Sequence, residues 1–262
     1  MTNRVIVITG ASEGIGAELA RQLAASGDKL ILAARSQARL EAVAAECSSI
    51  GLFSAVPVPT DVTDRKQVEN LLRVAHESFG HLDVWVNNAG QGIVRPVMEL
   101  TGDDIDRMMS VNVKSALYGM QTAVRYFQQR SAGHVINVSS FLGRVPLASP
   151  RSAYNASKHA LNSLTANLRM DLRASHPDIH VSLVMPGAVK TDFSKNALHY
   201  ETPPGGFRPL PTAQAVEEVA AVIVDVIEHP RPEAYTNPGL HAVQVQRYYT
   251  DVAAFEESLH NM

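Results

Sequence analysis

Cysteine is nearly absent. Cys47 is the only one in 262 residues, which excludes an intrachain disulfide and any metal site built on cysteines. It lies in Ala44-Ala45-Glu46-Cys47, a helix-like stretch where a lone thiol packs as a small apolar side chain. An excess of charge of either sign is also missing. Twenty-three basic against 26 acidic residues leave a formal net charge of −3, without the basic footprint that binds nucleic acid or an anionic membrane. No apolar run reaches spanning length; the nearest, Val219 to Ile227, is interrupted by Asp225, so no membrane partner is expected. The first strand-like run, Val5-Ile6-Val7-Ile8, is too short for a signal core and leads into a glycine loop rather than a cleavage site. The expected compartment is the cytoplasm. Repeats, low-complexity tracts and charge runs are absent too, and a metal site is not expected.

What is present is an alternation of short apolar runs and helix-period segments. Strands are expected at Val5–Thr9, Lys29–Ala34, Phe53–Val58, Asp83–Val86, Val135–Val138 and His180–Val184, with a short one at Glu233–Thr236. Helices are expected over Ile15–Ser26, Gln37–Ser49, Lys66–Phe79 (opened by Asp64), Asp103–Gln129, Ala153–Ala174 and Ala213–Glu228. The strands are continuous and β-branched rather than alternating, as they are when helices cover both faces of a parallel sheet. Repeated β-α units of this length argue a doubly wound parallel α/β sheet of about seven strands. One shift in composition, Glu201–Pro211, carries four prolines and two glycines. It reads as an exposed loop, because the β-α rhythm continues across it, and a single domain over 1–262 is expected. Within it, 191–212 reads as a substrate loop and 235–262 as a C-terminal tail that packs on that loop or on a neighbouring subunit.

Three local patterns carry chemistry. Thr9-Gly10-Ala11-Ser12-Glu13-Gly14-Ile15-Gly16 follows the first strand and opens the first helix. Its glycines permit a tight turn and close approach of backbone to a pyrophosphate, which the helix N-terminus then meets with N–H donors. At the end of the second strand, Arg35 stands where an acidic residue would accept from an NAD ribose hydroxyl; an arginine there suits a 2′-phosphate. Tyr154 and Lys158, four positions apart, share one helix face, and an ammonium beside a phenol lowers its pKa from about 10 toward a value useful for proton transfer.

With these motifs in this order, the chain resembles the short-chain dehydrogenase/reductase family. The resemblance runs from Thr9 to Phe193 through Asp61-Val62, Asn87-Asn88-Ala89-Gly90, Asn112, Asn137-Val138-Ser139-Ser140, Tyr154-x-x-x-Lys158 and Pro186-Gly187-x-x-x-Thr191-x-Phe193. It implies a Rossmann-type fold and a cofactor of the NADP(H) kind, favoured over NAD(H). Gly10, Ser12, Glu13, Gly14, Ile15, Gly16, Arg35, Asp61, Val62, Asn87, Ala89, Gly90, Pro186, Gly187, Val189 and Thr191 would contact that cofactor, together with Tyr154 and Lys158. Tyr154 would exchange the proton on a carbonyl or alcohol oxygen, Ser140 would hold that oxygen, and Lys158 would tune the phenol. Asn112 would hold a water linking Lys158 to solvent. The residues alone leave Ser139 and Ser140 both open; the resemblance selects Ser140. The partner is then a small carbonyl or alcohol substrate in a mainly apolar pocket lined by Gln91–Val94, Phe141–Leu147, Val189 and the 193–207 segment.

Two features depart from the family pattern. The 14 positions from Ser140 to Tyr154 are more than members commonly have, and Glu13 stands where many NADPH-preferring members are basic. A carboxylate there would oppose Arg35. The resemblance also implies a homodimer or homotetramer paired through the two long helices; the stripe Leu161, Leu164, Leu168, Leu172 suits such a face or the core equally. The alternative from another class is a non-catalytic NADP-binding sensor or scaffold.

Overall fold

The computed structural model describes residues 3–51, 55–147, 150–199, 201 and 213–260. The first strand, β1 (Val5–Thr9), is wholly buried, and its alternate side chains feed two separate cores. Ile6 and Ile8 face helices α1 (Gly14–Ala25), α2 (Gln37–Ile50) and α7 (Val216–Glu228) through Leu19, Leu23, Leu40, Ile223 and Val226. Val5 and Val7 face α3 (Arg65–Phe79), α5 (Ser115–Arg130) and α6 (Ser152–Leu172) through Val68, Leu71, Met120, Phe127 and Leu172. A strand whose both faces are covered has no polar side, which is why these runs read as continuous rather than alternating.

The other strands are β2 (Lys29–Ala34), β3 (Ala55–Pro59), β4 (Val84–Asn87), β5 (Gly133–Val138), β6 (Ile179–Met185) and β7 (Glu233–Tyr235). They form one parallel sheet in the order β3-β2-β1-β4-β5-β6-β7. Pro57 and Pro59 are tolerated because β3 is an edge strand; the expected start of this strand at Phe53 lies outside the described residues. The chain leaves β1 in one direction and returns through β4 in the other, so a crevice opens at their carboxyl ends, where open α/β sheets bind ligands.

Below that crevice lies a buried polar network. Trp85 Nε1 donates to Asn87 Oδ1 at 2.8 Å, Asn87 Nδ2 to Asn137 Oδ1 at 2.8 Å, and Asn137 Nδ2 to Thr165 Oγ1 at 2.8 Å. It ties β4, β5 and α6 in one register.

Three elements differ from the sequence expectation. The stretch expected as one helix from Asp103 is α4 (Gly102–Met109), a π-turn at Ser110–Lys114, and α5. Thr101 and Asp104 start it with a reciprocal capping box. The tail, for which no element was expected beyond a strand, forms α8 (Pro238–Thr250) and α9 (Val252–His260). These helices pack Val245, Tyr248, Phe255 and Leu259 on Phe141, Val145 and Leu147, the segment that follows Ser140. Of the leucine stripe on α6, Leu161 and Leu172 are buried and Leu168 is packed on the core, leaving Leu164 exposed. No described helix is long and apolar enough to cross a membrane.

Candidate active site

The glycine loop after β1 is held by the loop after β4. Asn88 Nδ2 donates to the Thr9 and Gly10 carbonyls at 3.0 and 3.1 Å, while Thr9 Oγ1 accepts from the N–H groups of Asn88 and Ala89. Gly10 (φ 67°) and Gly14 (φ 54°) adopt left-handed backbone. Gly16 is required for space: a Cβ there would lie 2.2 Å from the Gly10 carbonyl oxygen. Helix α1 then begins with no acidic residue in its first turn and no side-chain cap from Glu13. Its first N–H groups are left for a ligand, the arrangement that suits a pyrophosphate. Gly14 faces Thr191 across this opening, a Cβ at 14 reaching the threonine methyl at 3.4 Å, so two expected cofactor contacts lie opposite each other. The residues fit a dinucleotide.

At the ends of β2 and β3, Arg35 is exposed and lies close enough to Asp61 to affect its carboxyl. Partial burial works to raise that carboxyl, but hydrogen bonds from Thr63 and the fields of Arg35 and Arg107 outweigh it and hold it below the usual range. Glu13 does not stand alone against Arg35. Its carboxylate pairs with Arg39 at 2.5 Å and accepts from Asn196 Nδ2 at 3.0 Å. Sequence reasoning missed both partners; Arg39 lies in the first turn of α2, four positions beyond Arg35, and that spacing was the available signal.

The catalytic candidates converge at the carboxyl end of β5. Ser140 follows the strand, and its hydroxyl accepts from Leu142 N–H at 3.1 Å and hydrogen-bonds the Tyr154 phenol. Ser139 turns the other way, donating to Asn162 Oδ1 at 2.5 Å inside the protein. Tyr154 is 7% exposed among Ile93, Met108, Leu142, Phe193 and Leu198, with the Phe193 ring 5.7 Å away centroid to centroid. Burial pushes its phenol above the usual value; the Ser140 bond and the nearby Arg151 guanidinium act in the opposite sense. Lys158 is buried, its ammonium donating to the Val138 carbonyl at 3.0 Å and lying 5.7 Å from the Tyr154 ring centroid. Burial pushes it down to about 8.

Ser140 and Arg151 act to lower the Tyr154 pKa against burial, and the Lys158 ammonium lies over the face of its ring. The Asn112 amide is hydrogen-bonded within the protein. It accepts from Gln91 N–H at 2.8 Å and donates to the Gln91 carbonyl and Ser157 Oγ, pinning the turn after β4 to α6. Asn87 spends its side chain in the core network described above. Asp61 and Val62 sit at the end of β3, Val62 within the core cluster, and Ala89 packs on the same cluster. A Cβ on Gly90 would meet Asn112 Oδ1 at 3.3 Å and Lys158 Nζ at 3.6 Å, so this glycine lies against both residues.

The segment after β6 folds over the tyrosine. Pro186 accepts from Phe141 N–H, Val189 bridges to Gln214, and Thr191 Oγ1 accepts from Phe193 N–H at 3.4 Å. Beyond it, Ser194 accepts from Arg151, Leu198 pairs with Ile93, and His199 Nε2 meets Asp104 Oδ1 at 2.8 Å. The 200 and 202–212 part of the expected substrate loop lies outside the described residues. Among the described residues no group of three or more His, Cys, Asp or Glu side chains is placed to hold a metal.

The sequence model described as short chain dehydrogenase matches residues 4–201. The chain belongs to that family. It is 33% identical over 245 residues to the uncharacterized oxidoreductase YxnA of Bacillus subtilis, covering 93% of this chain and 68% of the relative. A short-chain dehydrogenase/reductase from Burkholderia phymatum, solved with NAD, superposes with a TM-score of 0.83 at 28% identity, covering 96% of this chain and 95% of that one. An alcohol dehydrogenase from the archaeon Thermococcus sibiricus, solved with 5-hydroxy-NADP, gives 0.77 at 27% identity, covering 88% and 95%. Membership of the short-chain dehydrogenases makes this chain an oxidoreductase.

Proposed function

We propose that the protein interconverts a ketone or aldehyde and the corresponding alcohol with NADP(H), Tyr154 serving as the general acid and base. The observation that carries this reading is the meeting of Ser140, Tyr154 and Lys158 at the carboxyl end of β5, beside the crevice that the glycine loop opens. The cofactor, when bound, supplies or accepts the hydride. Ser140 donates to the substrate oxygen and orients it, and Tyr154 gives its proton to that oxygen as charge develops there. Lys158, its ammonium already desolvated, supplies a positive field beside the phenol and a donor toward the cofactor ribose. Phe193 and Leu198 close over Tyr154 and exclude water from the transfer.

The preference for NADP rests on Arg35, exposed at the end of β2, with Arg39 a second cation beyond it. Glu13 is a weaker opponent than the bare sequence suggests, since Arg39 and Asn196 occupy its carboxylate. The apolar side chains around Tyr154 support a substrate with an apolar body. The protein is read as a cytoplasmic, single-domain homo-oligomer; exposed Leu164 and Met170 on α6, with Ile105 on α4 and Met98 before it, support an apolar pairing surface.

The test is Tyr154→Phe against a panel of ketones and aldehydes, with NADPH binding followed by fluorescence. Turnover should fall by at least about a thousandfold while NADPH affinity stays within a few-fold, because the lost group acts only on the transferring proton. Equal turnover in the two proteins would sink the assignment of Tyr154. In parallel, Arg35→Ala should weaken NADPH more than NADH, by about tenfold for one lost charge-assisted contact.

A further inference from the structure

The tail brings a histidine against the residue that follows Ser140. His241, on α8, is 4% exposed, and its ring stacks on Phe141 with centroids 4.4 Å apart and planes 14° from parallel. Phe141 follows Ser140 in the chain, and its N–H donates to the Pro186 carbonyl at 2.7 Å. The edge of the imidazole lies on Gly187: a Cβ there would come within 2.5 Å of Nε2 and 2.7 Å of Cε1. Gly187 has no left-handed backbone to explain it, so room for this ring is what the missing side chain provides. Because Nε2 and Cε1 both touch that point, a nitrogen faces Gly187 whichever way the ring is turned.

The imidazole is short of hydrogen bonds. Nδ1 is buried without a partner among the described residues. Burial also pushes the ring below its usual pKa, so the neutral form occupies the site, with one N–H and one lone pair. An unsatisfied polar group inside a protein costs stability. A phenylalanine or leucine would fill the gap between Phe141 and Gly187 without that cost, as Val245, Phe255 and Leu259 fill the neighbouring space beside Tyr248.

We infer that His241 reads the substrate: it hydrogen-bonds a second, uncharged oxygen function on a ketone whose reacting carbonyl is held by Ser140 and Tyr154. The substrate class is thus a hydroxyketone or diketone rather than a simple alkyl ketone or an acid. A neutral ring suits a hydroxyl, to which it donates or from which it accepts, or a carbonyl, to which it donates. This rests on the oxidoreductase reading above and narrows it.

The experiment compares wild type with His241→Phe, which keeps the stack on Phe141 and removes both nitrogens. Cyclohexanone and its 2-, 3- and 4-hydroxy derivatives are reduced with NADPH, and kcat and KM are separated. Wild type should favour at least one hydroxyketone over cyclohexanone by about tenfold in kcat/KM, mainly through KM, the worth of one well-made hydrogen bond. His241→Phe should lose that ratio, and His241→Gln, which restores a donor and an acceptor, should recover part of it. Equal ratios in wild type and His241→Phe overturn the inference, and so does a wild type that reduces cyclohexanone without any preference. Absence of turnover on the whole panel counts against the oxidoreductase reading instead. In that case, or if His241→Phe does not fold, nitrogen NMR of the wild-type histidine ring in the NADPH complex decides. A shift of the His241 resonances on adding the hydroxyketones, larger than with cyclohexanone, supports the inference; no shift overturns it.

Discussion

Gly16→Ala places a methyl group where two fixed atoms already stand. It would lie 2.2 Å from the Gly10 carbonyl oxygen and 2.6 Å from Asn88 Nδ2. Non-bonded carbon contacts settle near 3.5 Å, so about 1 Å of relief is needed. Neither neighbour is a flexible side-chain end. The Gly10 oxygen is main chain in a left-handed turn, and the Asn88 amide is held by two hydrogen bonds to Thr9 and Gly10. The loop must therefore move as a unit, or α1 must lift from β4. Overpacking of this kind costs about 1–3 kcal/mol, or roughly 3–10 °C in Tm for a chain of this size. The larger effect falls on ligand binding, since a 1 Å misplacement of donors costs about a hundredfold. Thermal unfolding with and without NADPH, beside a fluorescence titration, reads both quantities. Gly102→Ala is the control: nothing lies within 4 Å of its added Cβ, and at the start of α4 it should be neutral or stabilise by up to about 1 kcal/mol. A Gly16→Ala protein with wild-type Tm and NADPH affinity would refute the claim that this contact sets the loop.

Other outcomes follow from the geometry. Lys158 titrates near 8, below its usual value, so its positive charge is lost as pH rises through that range; kcat/KM should fall there, and the step should vanish from the residual profile of Lys158→Met. Asn137→Ala leaves the Asn87 amide and the Thr165 hydroxyl short of a partner and should cost about 2–3 kcal/mol in urea unfolding; an unchanged midpoint would count against the network. Asp104→Asn removes the charge that the Thr101 N–H, His199 and Arg95 stabilise. Because those partners hold the Asp104 carboxyl below the usual carboxylate range, its contribution is complete above about pH 4 and fades as pH falls, so the variant should be less stable at neutral pH by about 1 kcal/mol and lose less on acidification. A chain ending after Thr236 uncovers Phe141 and Val145; it should melt at least several degrees lower and bind the hydrophobic dye ANS, and a truncated protein with unchanged Tm would contradict the packing of the tail.

The strands were legible because burial on both faces leaves a continuous apolar run, and each such run from Val5 to Val184 became a strand. Asp64 announced α3, and its carboxylate accepts from Lys66 N–H as a cap should. The π-turn at Ser110–Lys114 was not legible, since one extra residue in a helix hardly disturbs its period over so short a window. The tail was missed for a different reason. Asn237 followed by Pro238 is a helix start, a capping side chain with proline in the first turn, but α8 buries only His241 and so shows no apolar stripe. Within the site, spacing singled out Tyr154 and Lys158 because their motif is local, while the resemblance selected Ser140 over Ser139. Spacing could not say where long side chains end. That Asn112 grips Gln91, that Glu13 joins Arg39 to Asn196, and that His241 reaches Gly187 all depend on which elements the sheet order brings together.

Trp85 is the only tryptophan, wholly buried in β4, two residues before Asn87 and three before the Asn88 that clamps the glycine loop. The protein thus carries one optical reporter at the floor of its crevice. An indole screened from water emits at short wavelength, where reduced nicotinamide absorbs, so NADPH seated above β4 should quench it and emit in its place. Unfolding should instead move the emission to the red. Loading and denaturation therefore change different parts of one spectrum, and both can be followed in the unlabelled protein without a known substrate.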